Sequence, residues 1–176
     1  MDKRIKENIR VKRQIALAFL KLLKSDDITD SEMITISQIT STAKVSRMAY
    51  YRNFQSKTEI IDYYLSETLW KELNDTLSTD FEFWSLDYGI AFFNLMKCHR
   101  DDILLLKKHG YADRILSAFN LLNENLIGDM PIHSMERFRI YYAAGASYNA
   151  MLHWLEDGCH ESAEDMASDM LEFFHL

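Results

Sequence analysis

The chain has 176 residues, 48% of them hydrophobic, which is enough to bury a sizeable core as one compact unit or as two closely packed domains. One proline, five glycines and the lack of any repeat or low-complexity run are typical of a mostly helical protein. Residues 1–58 hold 12 lysines and arginines against 6 acidic residues, a net charge of +6, whereas residues 59–176 hold 8 against 21, a net charge of −13.

This charge distribution indicates a basic head on an acidic body. Such a head is attracted to a polyanion, and its binding should weaken steeply as salt rises. No stretch approaches the roughly 20 apolar residues of a membrane helix, and no signal peptide is apparent, so we expect a cytoplasmic protein with no membrane partner. Cys98 and Cys159 predict neither a disulfide framework nor a metal site, and we expect both thiols to be reduced.

Helix N-cap signals divide the first part of the chain. Thr35 with Gln38, and Ser56 with Glu59, each place a hydroxyl ahead of a residue that can reach back to the N–H of the cap. Ser46 is a simpler cap between them. Together with the apolar periodicity, these signals predict helices over residues 5–25, 36–43, 47–53 and 57–77.

Cap signals and apolar periodicity also predict helices in the remainder of the chain. Ser162 with Asp165 marks another start, and polar residues, glycines or a proline separate the apolar-periodic segments. No segment shows a convincing alternating strand pattern. The expected class is therefore all-α, with a three-helix head over residues 1–58 and a helical body over residues 59–176. The helices of the body are predicted over residues 80–99, 101–108, 111–127, 134–157 and 162–175.

The two short helices have the pattern of a helix-turn-helix, in which one small helix enters the major groove of DNA. In the second of them, Tyr50 and Phe54 lie four residues apart and can reach the core. Arginine can bond bidentately to guanine, and tyrosine can reach a phosphate or a thymine methyl. The outward face should therefore contact double-stranded DNA, and it comprises Arg47, Met48, Tyr51 and Arg52.

Residues 35–61, TISQITSTAKVSRMAYYRNFQSKTEII, resemble the DNA-binding domain of the TetR family of bacterial repressors. The resemblance implies that the outward face of residues 47–53 lies in the major groove. It also implies phosphate contacts in the flanking turns, and the helix start at Lys57 already favours an anion. Besides the four residues of the outward face, the expected DNA-binding residues are Thr35, Lys44, Ser46, Asn53 and Lys57.

Two positions depart from the pattern of the family. Lys44 stands where glycine is usual, and a left-handed lysine costs about 1 kcal/mol. Either the turn is shifted, or Lys44 is retained as a phosphate contact. Ala49 stands where threonine is usual, which removes one candidate hydroxyl contact.

The last two predicted helices resemble the pair through which members of that family dimerise as a four-helix bundle. Small residues over 143–150 would let another helix approach closely, although the same residues could fill the core of a single protomer. A two-fold dimer would place the two copies of the helix over residues 47–53 about 34–36 Å apart on a palindromic operator. The expected homodimer interface comprises Ala146, Ala150, Trp154, Met166, Met170 and Phe174.

The body is rich in aromatic residues, and members of the family commonly hold a small inducer among these helices. Aromatic and methionine residues at helical spacing can equally form an ordinary core. The residues considered for a ligand pocket are Tyr64, Tyr88, Phe92, Phe93, Met96, Tyr111, Phe119, Tyr141 and Tyr148.

The sequence therefore predicts a DNA-binding transcriptional regulator, a ligand-responsive repressor that binds its operator as a homodimer. The alternative is a DNA-binding adaptor or coactivator controlled by a protein partner. A closed aromatic cavity would favour the first, and a filled core with an exposed apolar patch would favour the second. No phosphate-binding glycine loop, nucleophile elbow or HExxH motif is present, so we expect no catalytic residues, no enzyme activity and no cofactor.

Overall fold

The computed structural model describes residues 2–76, 85–127, 131 and 133–175. These residues form helices and no strand, which confirms the predicted all-α class. A 3₁₀ turn over Ser31–Met33 precedes α2, and a π-helical segment over Tyr64–Trp70 joins α4 to α5. No helix within the described ranges is long and apolar enough to cross a membrane. The α-helices are α1 (Lys3–Leu23), α2 (Ile36–Ala43), α3 (Arg47–Asn53), α4 (Lys57–Tyr63), α5 (Lys71–Thr76), α6 (Leu86–Cys98), α7 (Arg100–Lys108), α8 (Ala112–Ile127), α9 (Met135–Glu156) and α10 (Ala163–His175).

The predicted helices agree closely with these bounds, and α2 and α3 match residue for residue. The helix expected over residues 80–99 is observed from Leu86, and residues 77–84 lie outside the described residues. The helix expected over residues 57–77 differs in its interior, because it changes from α- to π-helical geometry at Tyr64.

The π-helical segment places four large side chains in the core. A π-helix bonds i to i+5 and is wider than an α-helix, so it alters which residues share a face. Tyr64, Leu65, Leu69 and Trp70 are all buried here. Leu73 in α5 is also buried, so the inward stripe continues past the π-helical segment.

The head is built around α1, which packs against α2, α3 and α4. Ile15 and Phe19 of α1 are buried with Ile39 of α2, and Tyr50 and Phe54 complete the core from the α3 side. This core fixes the direction in which the opposite face of α3 points.

The body packs α6 tightly along α10 and α8 along α9. Helices α6 and α10 approach each other closely at Gly89, where an added Cβ atom would lie 2.8 Å from Cβ of Ala167. Real Cβ atoms essentially never come this close, so glycine allows the two helices to pack at this distance. At the end of α9, Gly158 has a φ of 94°, as expected for a left-handed residue that ends a helix and reverses the chain.

Candidate nucleic-acid interface

Each helix of the helix-turn-helix begins at the residue that the sequence predicts. The hydroxyl of Thr35 accepts a hydrogen bond of 3.2 Å from the N–H of Gln38, and the side chain of Gln38 accepts one of 2.8 Å from the N–H of Thr35. Ser46 accepts a hydrogen bond from the N–H of Ala49 at 3.1 Å, and Ser56 accepts from that of Glu59 at 3.1 Å. These contacts confirm the capping box at Thr35 and both serine caps. The Glu59 carboxylate, however, accepts from the N–H of Gln55 at 2.8 Å and not from that of Ser56 as predicted.

The turn between α2 and α3 is closed by Lys44. Its φ and ψ are 55° and 43°, so Lys44 has the left-handed conformation that glycine usually adopts at such positions. The N–H of Val45 then donates to the carbonyl of Thr40 at 3.0 Å, which satisfies a carbonyl at the end of α2. The turn is therefore not shifted, and the exposed lysine side chain stands beside the start of α3.

The outward face of α3 is open to solvent as the sequence predicts. Arg47 and Arg52 are exposed, and Met48 and Tyr51 are 70% and 60% exposed. Isolated exposed apolar groups are common on protein surfaces. Here a methionine, a tyrosine and two arginines share one face of a seven-residue helix. Such a face offers both charge and apolar contact to a partner.

Asn53, at the end of α3, has partners inside the head. Its side-chain oxygen accepts from Asn8 of α1 at 2.7 Å, and its amide donates to the carbonyl of Ala49 at 2.7 Å. These bonds connect α3 to α1. Asn8 was not singled out in the sequence, because the two asparagines are 45 positions apart.

Lys57 also has internal partners. Its ammonium donates to the carbonyls of Ser31 and Glu32 at 3.0 and 3.2 Å, and lies 3.0 Å from the Glu32 carboxylate. The Lys57 side chain is only 15% exposed. An ammonium has three donors, and each has an acceptor here. Lys57 therefore fastens the start of α4 to the 3₁₀ turn.

The N-terminus of α1 lies beside α3. An open groove of about 740 Å³ lies along the contact between these two helices, and its walls include Lys3 and Arg4 of α1 and Arg52 of α3. Lys3 and Arg4 belong to the excess of lysines and arginines over residues 1–58. The groove extends the positive surface of α3 toward α1.

The head meets the body through polar contacts between residues far apart in sequence. Tyr111, just before α8, donates to the hydroxyl of Ser31 at 2.9 Å in a buried position. Lys24 pairs with Asp102 at 2.7 Å, and Asp102 also accepts from the Tyr64 hydroxyl at 3.0 Å. Burial and the nearby negative charge of Asp102 raise the pKa of Tyr64 above its usual range. Tyr64 therefore stays protonated and donates to Asp102.

The residues considered for a ligand pocket are packed together in the body. Phe92 lies against Trp70, Tyr88, Phe93 and Phe119, with ring centroids 5.1–6.5 Å apart. The cavity remaining beside these rings has a volume of about 10 Å³, which is roughly the least that admits a single water molecule and is far below the size of a ligand site. The other pocket residues are also buried, with one exception. These buried residues are Tyr64, Met96, Tyr111 and Tyr148.

The exception is Tyr141, which lies apart from the aromatic core. It is exposed on α9, and its hydroxyl bonds Glu124 and Arg137. The structure therefore brings eight of the nine residues into a filled core rather than around a ligand-sized space.

The residues expected at the dimer interface divide into two groups. Trp154 and Met170 are buried within the protomer, and Trp154 packs against Phe93 with centroids 5.5 Å apart. The others line a shallow groove of about 180 Å³ between α9 and α10, together with Phe173, which is 61% exposed. Phe173 was not among the interface residues predicted from the sequence. The groove residues from the predicted set are Ala146, Ala150, Met166 and Phe174, and the buried Met170 also borders the groove.

No protein-family model and no curated protein matches this chain. Among solved structures, the chain is similar to one described as "Dihydroxyacetone kinase operon activator DhaS", with a TM-score of 0.60 and 21% sequence identity. The similarity covers 93% of this chain and 93% of that chain. At this level of identity the likeness shows the fold alone: this chain shares the architecture of that helical protein over nearly its whole length.

Proposed function

We propose that this protein is a sequence-specific DNA-binding transcriptional regulator of the TetR type. The observation that carries the proposal is the exposed face of α3, which presents Arg47, Met48, Tyr51 and Arg52 while Tyr50 anchors the helix in the core. The net charge of +6 on residues 1–58, against −13 on the remainder, supports a polyanion as the partner of this face. The solved structure with a similar fold is described as an operon activator, which is in line with this role.

In this proposal, α3 lies in the major groove and the surrounding residues hold the phosphate backbone. The arginines read guanine, while Lys44 and the hydroxyls of Thr35 and Ser46 contact phosphate. Asn53 and Lys57 belong to the same set. Their internal bonds give them a second role, which is to fix the position of α3 and of the start of α4.

We further propose a homodimer formed through α9 and α10. A single copy of α3 contacts few base pairs, whereas the two copies in a two-fold dimer would contact both halves of a palindromic operator. The groove containing Ala146 and Ala150, bordered by the exposed ring of Phe173, is suited to receive a helix from a second copy. Trp154 and Met170 would support the interface from within each protomer.

The regulation that we propose is ligand-responsive repression, in which an effector changes the separation of the two heads. An effector acts only through its different affinity for the two states of the protein. The second candidate is an adaptor controlled by a protein partner. The filled aromatic core favours it, as do Met135, Phe138 and Tyr142, which are exposed on the first turns of α9.

The test is selection of bound fragments from a pool of random duplexes and from the source genome, followed by footprinting. We expect one enriched palindrome whose half-sites lie about one helical turn apart. Binding that shows no sequence preference at physiological salt would overturn the proposal. A co-purifying protein that alters operator affinity would favour the adaptor, and a small molecule that does so would favour the ligand-responsive form.

A further inference from the structure

A cleft on the surface of the body lies between the π-helical segment and α8. Its volume is about 490 Å³, within the range of roughly 300–1,000 Å³ that is usual for small-molecule sites. Trp70 and Leu122 form its apolar wall, and Leu121 stands at its edge. The cleft is distinct from the filled aromatic core, although Trp70 lies between the two and packs against Phe92.

The charges in the cleft favour a cation. Asp62 is neutralised by Arg114, whose guanidinium binds both carboxylate oxygens, one of them at 2.8 Å. Glu67 is exposed and forms no ion pair within the described part of the chain. The remaining polar residues of the lining are serines and asparagines. The lining therefore has a net charge of −1, centred on Glu67 beside an apolar wall.

Two features of the wall are unusual for a purely structural surface. The indole N–H of Trp70 is buried and has no hydrogen-bond partner among the described residues, and leaving a buried donor without an acceptor is destabilising. The helix is also π-helical from Tyr64 to Trp70, and π-bulges occur frequently at functional sites.

The cleft is connected to the DNA-binding head. Arg114 lies in the first turn of α8, and its partner Asp62 lies in α4, which begins at Lys57. Three residues before Arg114, Tyr111 bonds the hydroxyl of Ser31, whose carbonyl accepts from Lys57. Displacement of Arg114 would therefore break its ion pair with α4 and disturb, three residues away, the Tyr111–Ser31 contact between body and head.

We infer that the cleft between the π-helical segment and α8 is an effector site for an amphipathic organic cation. Its apolar part lies against Trp70 and Leu122, and its charged group pairs with Glu67. The occupant changes the position of the head through Arg114, Asp62 and Tyr111. This inference rests on the proposed function, since the response is measured as a change in DNA binding.

The test uses the full chain with benzyltriethylammonium as the probe and benzenesulfonate as its anionic counterpart. Calorimetry and tryptophan fluorescence should show saturable binding of the cation and at least tenfold weaker binding of the anion. Glu67→Gln should weaken cation binding at least tenfold, and Leu121→Arg should abolish it by adding bulk and like charge at the edge. Glu164→Gln, an exposed carboxylate on α10, is the matched control and should leave binding unchanged.

Operator binding is measured in parallel with and without the cation. A shift of threefold or more in operator affinity in the parent protein, lost in Leu121→Arg, supports the inference. No saturable cation binding, equal binding of the anion, or unchanged binding in both cleft variants overturns the effector site. Cation binding that leaves operator affinity unchanged overturns the connection to the head. A parent protein that binds no DNA contradicts the proposed function instead, whatever binds in the cleft.

Discussion

The hydroxyl of Tyr111 donates a hydrogen bond of 2.9 Å to the hydroxyl of Ser31, a residue 80 positions earlier in the chain. Both residues are buried, and the bond joins the turn before α8 to the 3₁₀ turn that Lys57 holds from the other side. The head and body are therefore connected by a specific polar contact as well as by the helix that they share.

Removing this contact should loosen the junction. Tyr111→Phe leaves the buried Ser31 hydroxyl without its partner and should lower the free energy of unfolding by about 1–2 kcal/mol. Urea unfolding checks the change. Tyr142→Phe removes an exposed hydroxyl on α9 and should have no effect beyond about 0.5 kcal/mol. Equal stability of the two variants would show that the buried bond does not stabilise the junction.

Arg47 should determine sequence preference. Arg47→Ala removes an exposed side chain, so the fold should remain intact while operator affinity falls by about 1–3 kcal/mol and preference relaxes at one base pair. Binding to a set of single-substitution operators measures this effect. Lys108→Ala, an exposed charge on α7, is the control. Unchanged affinity of Arg47→Ala at physiological salt would remove α3 from the groove.

Variants of Lys57 and Glu32 would distinguish the internal role of the Lys57 ammonium from its proposed contact with DNA phosphate. Lys57→Ala should destabilise the head by about 1–2 kcal/mol, because two carbonyls lose a charged donor. If Lys57 also contacts phosphate, the slope of log affinity against log salt should fall by about one.

Glu32→Ala is the companion variant. This variant removes an exposed carboxylate and should lower the free energy of unfolding by at most about 1 kcal/mol. Because Lys57 stays in place, operator binding should be retained or strengthened. A salt slope that is the same in Lys57→Ala as in the parent protein would restrict Lys57 to its internal role.

The packing of α6 on α10 depends on Gly89. Gly89→Ala would place a Cβ atom 2.8 Å from Cβ of Ala167, and separating the helices should cost about 1–3 kcal/mol. Gly145→Ala is a matched helical control, because nothing lies within 4 Å of its added Cβ. That variant should be neutral or more stable by up to about 1 kcal/mol. Thermal unfolding of both variants tests the contrast, and a stabilised Gly89→Ala protein would contradict the close approach.

Phe173 should control the oligomeric state. Phe173→Glu places a charge on an exposed position beside the groove of α9 and α10, so each protomer should stay folded while the dimer dissociates. Light scattering at micromolar concentration measures the mass. Met33→Glu, at an exposed position in the head, should leave the mass unchanged. A monomeric parent protein, both free and on DNA, would refute the dimer.

The helix starts and the two faces of α3 could be predicted from the sequence because they depend on neighbours three or four positions apart. Thr35, Ser46 and Ser56 cap their own helices through bonds to the third residue onward. Tyr50 is buried and Tyr51 is exposed because consecutive residues of a helix point in directions about 100° apart. The left-handed conformation of Lys44 was one of two alternatives that the sequence predicted, because Lys44 lies between two helices.

Tertiary structure decided what each inward or polar side chain meets. Periodicity places Phe92 and Phe119 inside, but only the packing of α6 against α8 and α9 determines whether their rings fill the space or enclose a cavity. The Lys57 ammonium donates to carbonyls 26 and 25 positions earlier in the chain. The Tyr111 hydroxyl donates to Ser31, which is 80 positions earlier. Such contacts depend on how whole helices are placed, which no local spacing encodes. The sequence by itself therefore determined the bounds of α3 and its buried and exposed faces, whereas the junction, the filled core and the cleft beside Trp70 required the fold.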